Sequence, residues 1–134
     1  MAGLPAAHEG DTVTGVDVHV VMVPSPSGTV PTPLPHPFSG RLTEKLSDDV
    51  RIENQPAATV DSVAPNKPKH VPTPPGTSFQ RQPSNRGTVT GGSGSVLVNS
   101  RKAARAGDKV RSCNDPRDAE TSAITSGSAK VLIG

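Results

Sequence analysis

The 134 residues provide for one domain, and their composition, with 15 Pro, 13 Gly and two Phe as the sole aromatic residues, excludes an ordinary core built on large aromatic side chains. A formal charge of +2, from 14 basic and 12 acidic residues, excludes a strongly cationic nucleic-acid binder, and the lone cysteine, Cys113, excludes a disulfide within the chain. The longest apolar stretch, Val20 to Val23, falls far short of the roughly 20 residues of a spanning helix, and Met1 to Asp11 has neither the basic nor the apolar region of a signal peptide.

In chain order, Val13 to Val23 reads as a strand, rich in β-branched residues, with Val16, Val18, Val20 and Met22 on one face. Pro24 to Pro37 reads as a Pro-rich loop, and Gly40 to Leu46 is the one short helix candidate. Asp49 to Glu53 is a short strand, Pro65 to Pro75 a second Pro-rich loop, and Ser95 to Asn99 and Ala129 to Ile133 two more short strands. Arg101, Lys102, Arg105, Lys109 and Arg111 cluster, but no aromatic residue interleaves with them for base stacking, so they read as a solvated face.

A repeat organises these elements. Leu4 to Val13 aligns with Arg101 to Val110, matching two Ala, a Gly, an Asp and a Val. A degenerate copy, Pro56-Ala57-Ala58-Thr59-Val60-Asp61, lies between them and reads as one residue shorter before its Asp. A short strand precedes the second and third copies; the strand that would precede the first stands at residues 129–133 instead. The expectation is a closed threefold ring in which the last strand completes the first repeat, so that no strand edge is left exposed.

The repeat places the chemistry. His19 follows Asp11, His70 follows Asp61, and Cys113 follows Asp108, so each copy sends one donor toward the axis. His36, held between Pro35 and Pro37, is a fourth. Three imidazoles and a thiolate make a closed tetrahedral shell for a structural Zn2+, which contributes to folding what two Phe cannot. Two other readings stay open on composition alone: a Pro-rich disordered interaction protein, and a small hydrolase with Cys113, near Lys109 and Arg111, as nucleophile.

The Ala-Ala-Arg-x-Gly-Asp stretch at Ala103 to Asp108, the Pro-Ala-Ala at Pro5 to Ala7 and the Gly-Ser-x-x-Val strands resemble PAAR-repeat proteins, although no copy reads Pro-Ala-Ala-Arg in full. The resemblance implies a single PAAR-type domain over residues 1–134. Its fold would be mainly β: a small pseudo-threefold cone of short strands and Pro/Gly-rich loops, with one structural zinc near the apex. The ligand set the family implies maps onto His19, His36, His70 and Cys113. The implied role is non-enzymatic. The cone would cap and sharpen the trimeric VgrG-like or phage-spike-type β-helical protein of a type VI secretion system or related contractile injection machine. It would act as a monomer on a trimer, with an effector or chaperone as further partner, no nucleic acid, and transient contact with a target membrane. Assembly in the cytoplasm and delivery to the target cell follow from that role.

Overall fold

The three Ala-Ala copies bond to one another in a closed ring. In the computed structural model, which describes residues 3–134, the Ala7 N–H donates to the Ala104 carbonyl, the Ala104 N–H to Ala58, and the Ala58 N–H to Ala7, each at 3.0 Å. The flanking bonds repeat the rotation: Glu9 N–H to the Pro56 carbonyl at 2.9 Å, Val60 to Lys102 at 2.9 Å, and Ala106 to Pro5 at 2.8 Å. Three backbones can approach this closely only if the side chains between them are small. The six alanines concerned are each at most 1% exposed.

The strands, in chain order, are β1 (Leu4–Pro5), β2 (Thr12–Ser25), β3 (Gly28–Arg41), β4 (Arg51–Ile52), β5 (Gln55–Pro56), β6 (Val63–Pro65), β7 (Ser78–Phe79), β8 (Arg86–Val89), β9 (Leu97–Val98), β10 (Arg101–Lys102), β11 (Lys109–Ser112), β12 (Ala119–Ile124) and β13 (Leu132–Ile133), with no helix among the described residues. Three two-stranded arms feed the ring: β4 with β5, β9 with β10, and β13 with β1. The expected ring closure is therefore present, with Leu4 opposite Ile133. Each arm opens on a serine whose hydroxyl caps the chain three residues on: Ser47 to the Val50 N–H, Ser93 to Val96 and Ser128 to Val131, at 2.9, 2.9 and 3.0 Å.

The alanine pairs divide the interior into two layers. The first alanine of each pair packs with Ile52, Val98 and Ile133 of the arms. The second packs with Val13, Ala64 and Val110 at the starts of the strands that leave the ring, and with Leu42, Phe38, Val89 and Ile124. Those strands join one sheet in the order β3-β2-β12-β11-β8-β6, with β7 also on β2.

Three sequence expectations need correction. The second copy lacks no residue. Ser62 stands where Asp11 and Asp108 stand: the N–H of His8 goes to Asp11 at 2.7 Å, that of Arg105 to Asp108 at 2.7 Å, and that of Thr59 to the Ser62 hydroxyl at 3.0 Å. Asp61 instead takes the place of Gly10 and Gly107, with φ +82° against their +89° and +94°. A side chain in that left-handed conformation costs about 1–2 kcal/mol. Asp61→Gly is accordingly expected to raise the free energy of unfolding in urea by about 1 kcal/mol, since the exposed Arg101 contact it forfeits, at 3.4 Å, contributes little.

Pro24 to Pro37 is not a loop. It forms the tip of the β2–β3 hairpin and most of β3, paired from Thr12 opposite Arg41 to Ser25 opposite Gly28. Pro31, Pro33, Pro35 and Pro37 alternate along this strand, facing Met22, Val20, Val18 and Val16. These are the pairs that exchange no ladder bonds in a hairpin closed over two residues, so each missing N–H points away from β2. The stripe of Val16, Val18, Val20 and Met22 is real, but Val16 and Val18 are exposed, so it is the outward face.

Gly40 to Leu46 is not helical. Gly40 and Arg41 end β3, the Leu42 carbonyl accepts the Gly10 N–H at 2.9 Å, and the N–H groups of Thr43 and Glu44 both go to the Val63 carbonyl. Seven residues are too few to nucleate a helix against those partners. The short strands expected at Asp49 to Glu53, Ser95 to Asn99 and Ala129 to Ile133 are present, each trimmed to two residues.

Candidate metal centre

Alternation along β2 sends Asp17 and His19 inward, where they are 0% and 1% exposed. His70 comes from the irregular chain after β6, its N–H held by the Asn85 side-chain oxygen at 2.8 Å. Cys113 follows β11 directly and is buried. Asp17, His19, His70 and Cys113 each offer one donor atom within 4.8 Å of all the others. His36, on β3 directly opposite Asp17, stands beside them. The three imidazoles form a nearly equilateral triangle, with centroids 5.5 Å apart for His19–His36, 5.1 Å for His19–His70 and 5.5 Å for His36–His70. Phe79 of β7 packs on His19 and His36, and Phe38 lies under His70.

Of the four donors expected from sequence, the fold thus gathers His19, His70 and Cys113 into one donor cluster and sets the His36 ring against it. The His36 nitrogens are engaged: Nδ1 donates to the Leu34 carbonyl at 2.9 Å and Nε2 accepts the Thr73 N–H at 3.1 Å. The residue that sequence reasoning missed is Asp17. Its signal was present, since Asp17 and His19 share the face of β2 opposite the valine stripe.

Asp17 ties the centre together. Its Oδ2 accepts from His70 Nε2 at 2.8 Å and lies 3.4 Å from the Cys113 Sγ. Its Oδ1 accepts the Ser112 hydroxyl at 2.5 Å and the Thr121 hydroxyl at 3.2 Å. Burial raises this carboxyl, but the bonds from His70, Ser112 and Cys113 outweigh it and hold the group below the usual carboxylate range. Burial pushes the Cys113 thiol up to about 11, with the Asp17 charge adding to the shift. Burial also lowers His19, helped by His70, and lowers His36 against the opposing pull of the Leu34 carbonyl.

The donor set suits a cation. Both nitrogens of the buried His19 ring lack any hydrogen-bond partner. Asp115 Oδ2 approaches Nδ1 only to 3.5 Å, without hydrogen-bond geometry. A buried polar group left unpaired costs about 1–3 kcal/mol, and a metal ion is a partner that this imidazole lacks. Neutral imidazoles and a thiol deprotonated on coordination are the chemistry of zinc sites. A thiol at about 11 is the reverse of an activated nucleophile, which counts against the hydrolase reading.

These shifts make the stability of the metal-free chain depend on pH on both sides of neutrality. His19 and His36 are lowered from 6.5, so their contribution is present above pH 6.5 and is lost as pH falls through their lower folded values. Cys113 is raised from 9.0 to about 11, so its contribution is present below pH 9 and is lost as pH rises toward 11. Urea titrations of chelator-treated protein should therefore place maximum stability between these limits, with a fall on both sides.

The family profile described as PAAR motif matches residues 80–134. No curated protein and no solved structure matched the chain. The matched residues contain the third Ala-Ala copy, its arm β9–β10, Cys113 and the closing strand β13. The PAAR motif is associated with the spike-tip proteins of type VI secretion, and its family is structural rather than enzymatic. The chain thus carries a PAAR motif over residues 80–134, and the Ala-Ala pair of that segment recurs at residues 6–7 and 57–58 in the same hydrogen-bonded ring, which is consistent with a PAAR-repeat protein.

Proposed function

We propose that this chain is the structural tip of a contractile injection spike: a cone that caps and sharpens a trimeric VgrG-like β-helical protein and is carried with it into the target. The observation that carries the reading is the closed ring of Ala7, Ala58 and Ala104 bonds, because a pseudo-threefold monomer offers a trimer three equivalent contacts. The arms lie on the far side of the alanine layers from the metal centre. There Val50, Val96 and Val131, related by the rotation, are each 37% exposed, and Leu4, Leu97 and Leu132 are more exposed still. Such a patch suits an apolar docking surface. Replacing Val50, Val96 and Val131 together with Glu should abolish co-purification with the trimeric spike of the cognate machine and leave the circular dichroism unchanged. Retained co-purification would refute docking through the arms.

One Zn2+ on His19, His36, His70 and Cys113 completes the proposal. A closed four-donor shell supplies folding energy and no open position for chemistry. His36 would join by releasing the Thr73 N–H. A second reading rests on the cluster geometry and gives the fourth place to Asp17. Zinc affinity decides between them: His36→Ala is the damaging change in the first, while in the second Asp17→Asn damages binding and His36→Ala leaves it nearly intact.

A further inference from the structure

A cleft of about 260 Å3 opens beside the centre, lined by His19, Cys113 and the buried Asp115 carboxylate, with the exposed Asp118, Arg81 and Ser84 toward its mouth. We propose that this cleft is the entry port for the divalent cation and that Asp115 is the first protein ligand the ion meets. The inference rests on the metal reading given above.

Space, charge and an unused donor point the same way. At about 30 Å3 per water, a cation with six waters occupies about 180 Å3, which the cleft accommodates. The acidic side chains alone would mean little on a surface. Here, however, the unpartnered imidazole of His19 forms part of the same wall, 3.5 Å from Asp115 Oδ2. An ion held by Asp115 has its next ligand within one short step, and Cys113 lies beyond. Asp115 is itself fixed, accepting the Val20 N–H on Oδ2 at 2.9 Å.

Arg81 latches the port. It donates to Asp115 Oδ1 from Nε at 3.0 Å and to the Asn114 carbonyl from Nη2 at 2.8 Å, while its side chain stays 58% exposed. This contact neutralises the receiving carboxylate and can open without disturbing the core. The guanidinium end lies in solvent, so the latch can swing into water at modest cost while the carboxylate stays in place.

Rates rather than affinity provide the test. Zn2+ is mixed with metal-free protein in a stopped-flow instrument, and loss from the loaded protein is followed in excess chelator. Arg81→Ala should speed uptake and loss alike by about two- to five-fold, the equivalent of one exposed ion pair. Ser84→Tyr, which adds bulk at an exposed rim position, should slow both. Adding Asp115→Asn to Arg81→Ala should cut the uptake rate below that of Arg81→Ala alone. In both rim variants the equilibrium affinity should stay within about two-fold of the parent, because opening or narrowing a path changes both rates together. Unchanged rates in Arg81→Ala and Ser84→Tyr, in a parent that loads zinc normally, would overturn the port and leave the metal centre standing. A parent that takes up no zinc would overturn the centre and the port with it.

Discussion

Cys113→Ser is expected to abolish stable zinc binding and to lower the melting temperature by about 20 °C or more. The reasoning starts from what the chain has without the ion: two buried layers of small aliphatic side chains and a single large one, Phe38. Structural zinc contributes about 10–16 kcal/mol in small domains that depend on it wholly. This chain also has a bonded ring and a long hairpin, so about 5 kcal/mol is a conservative share, and at about 4 °C per kcal/mol that is the stated drop. His70→Ala should reproduce it, whereas His8→Ala, which lies outside the cluster, should not. Metal analysis alongside differential scanning calorimetry makes the comparison. Equal melting temperatures for parent, Cys113→Ser and chelator-treated protein would exclude a structural metal.

Phe38→Ala carries the next largest effect. Phe38 is 1% exposed and lies between the second alanine layer and His70. Its ring reaches across to β8, where a Cβ built at Gly87 would lie 3.0 Å from the Phe38 Cζ and 2.9 Å from Val110 Cγ1. The strand has thus given up a side chain to admit this ring, so Gly87 itself offers nothing to fill the space that Phe38→Ala would leave. A buried Phe→Ala change costs about 3–5 kcal/mol where the site cannot collapse. Urea denaturation of the zinc-loaded chain should show that loss, and zinc affinity should fall with it because His70 loses its support. A cost below about 1 kcal/mol would mean that the layer repacks.

The ring was legible in the sequence because three kinds of signal agreed: the Ala-Ala pairs, the strand before each, and the closing strand Leu132–Ile133. Its second copy was misaligned for a physical reason. Asp61 occupies a left-handed position that glycine fills in the other copies, and Ser62 does with a hydroxyl what Asp11 and Asp108 do with a carboxylate. The run of prolines reads as a loop because proline is a loop signal by frequency, while its strict alternation from Pro31 to Pro37 is an edge-strand signal by geometry. In the centre, His19, His70 and Cys113 came from repeat register. The alternation of β2 puts Asp17 on the inward face beside His19, but that both Asp17 and Asp115 are buried against the centre follows only from donors about 50 to 100 positions away.

The pairing of Leu4 with Ile133 also sets the order of events during synthesis. Two arms close over a few residues, but the third joins segments separated by almost the whole chain, and contacts of such long range form late. Until residues 132–133 leave the ribosome, Ala6 lacks the Val131 carbonyl that its N–H requires, and the layer of Ile52 and Val98 stands open on one side. At about 5–20 residues per second, a ribosome holds the nascent chain in that unfinished state for several seconds. Until that arm pairs, the apolar face of Ile52 and Val98 is exposed surface of the kind chaperones and proteases engage.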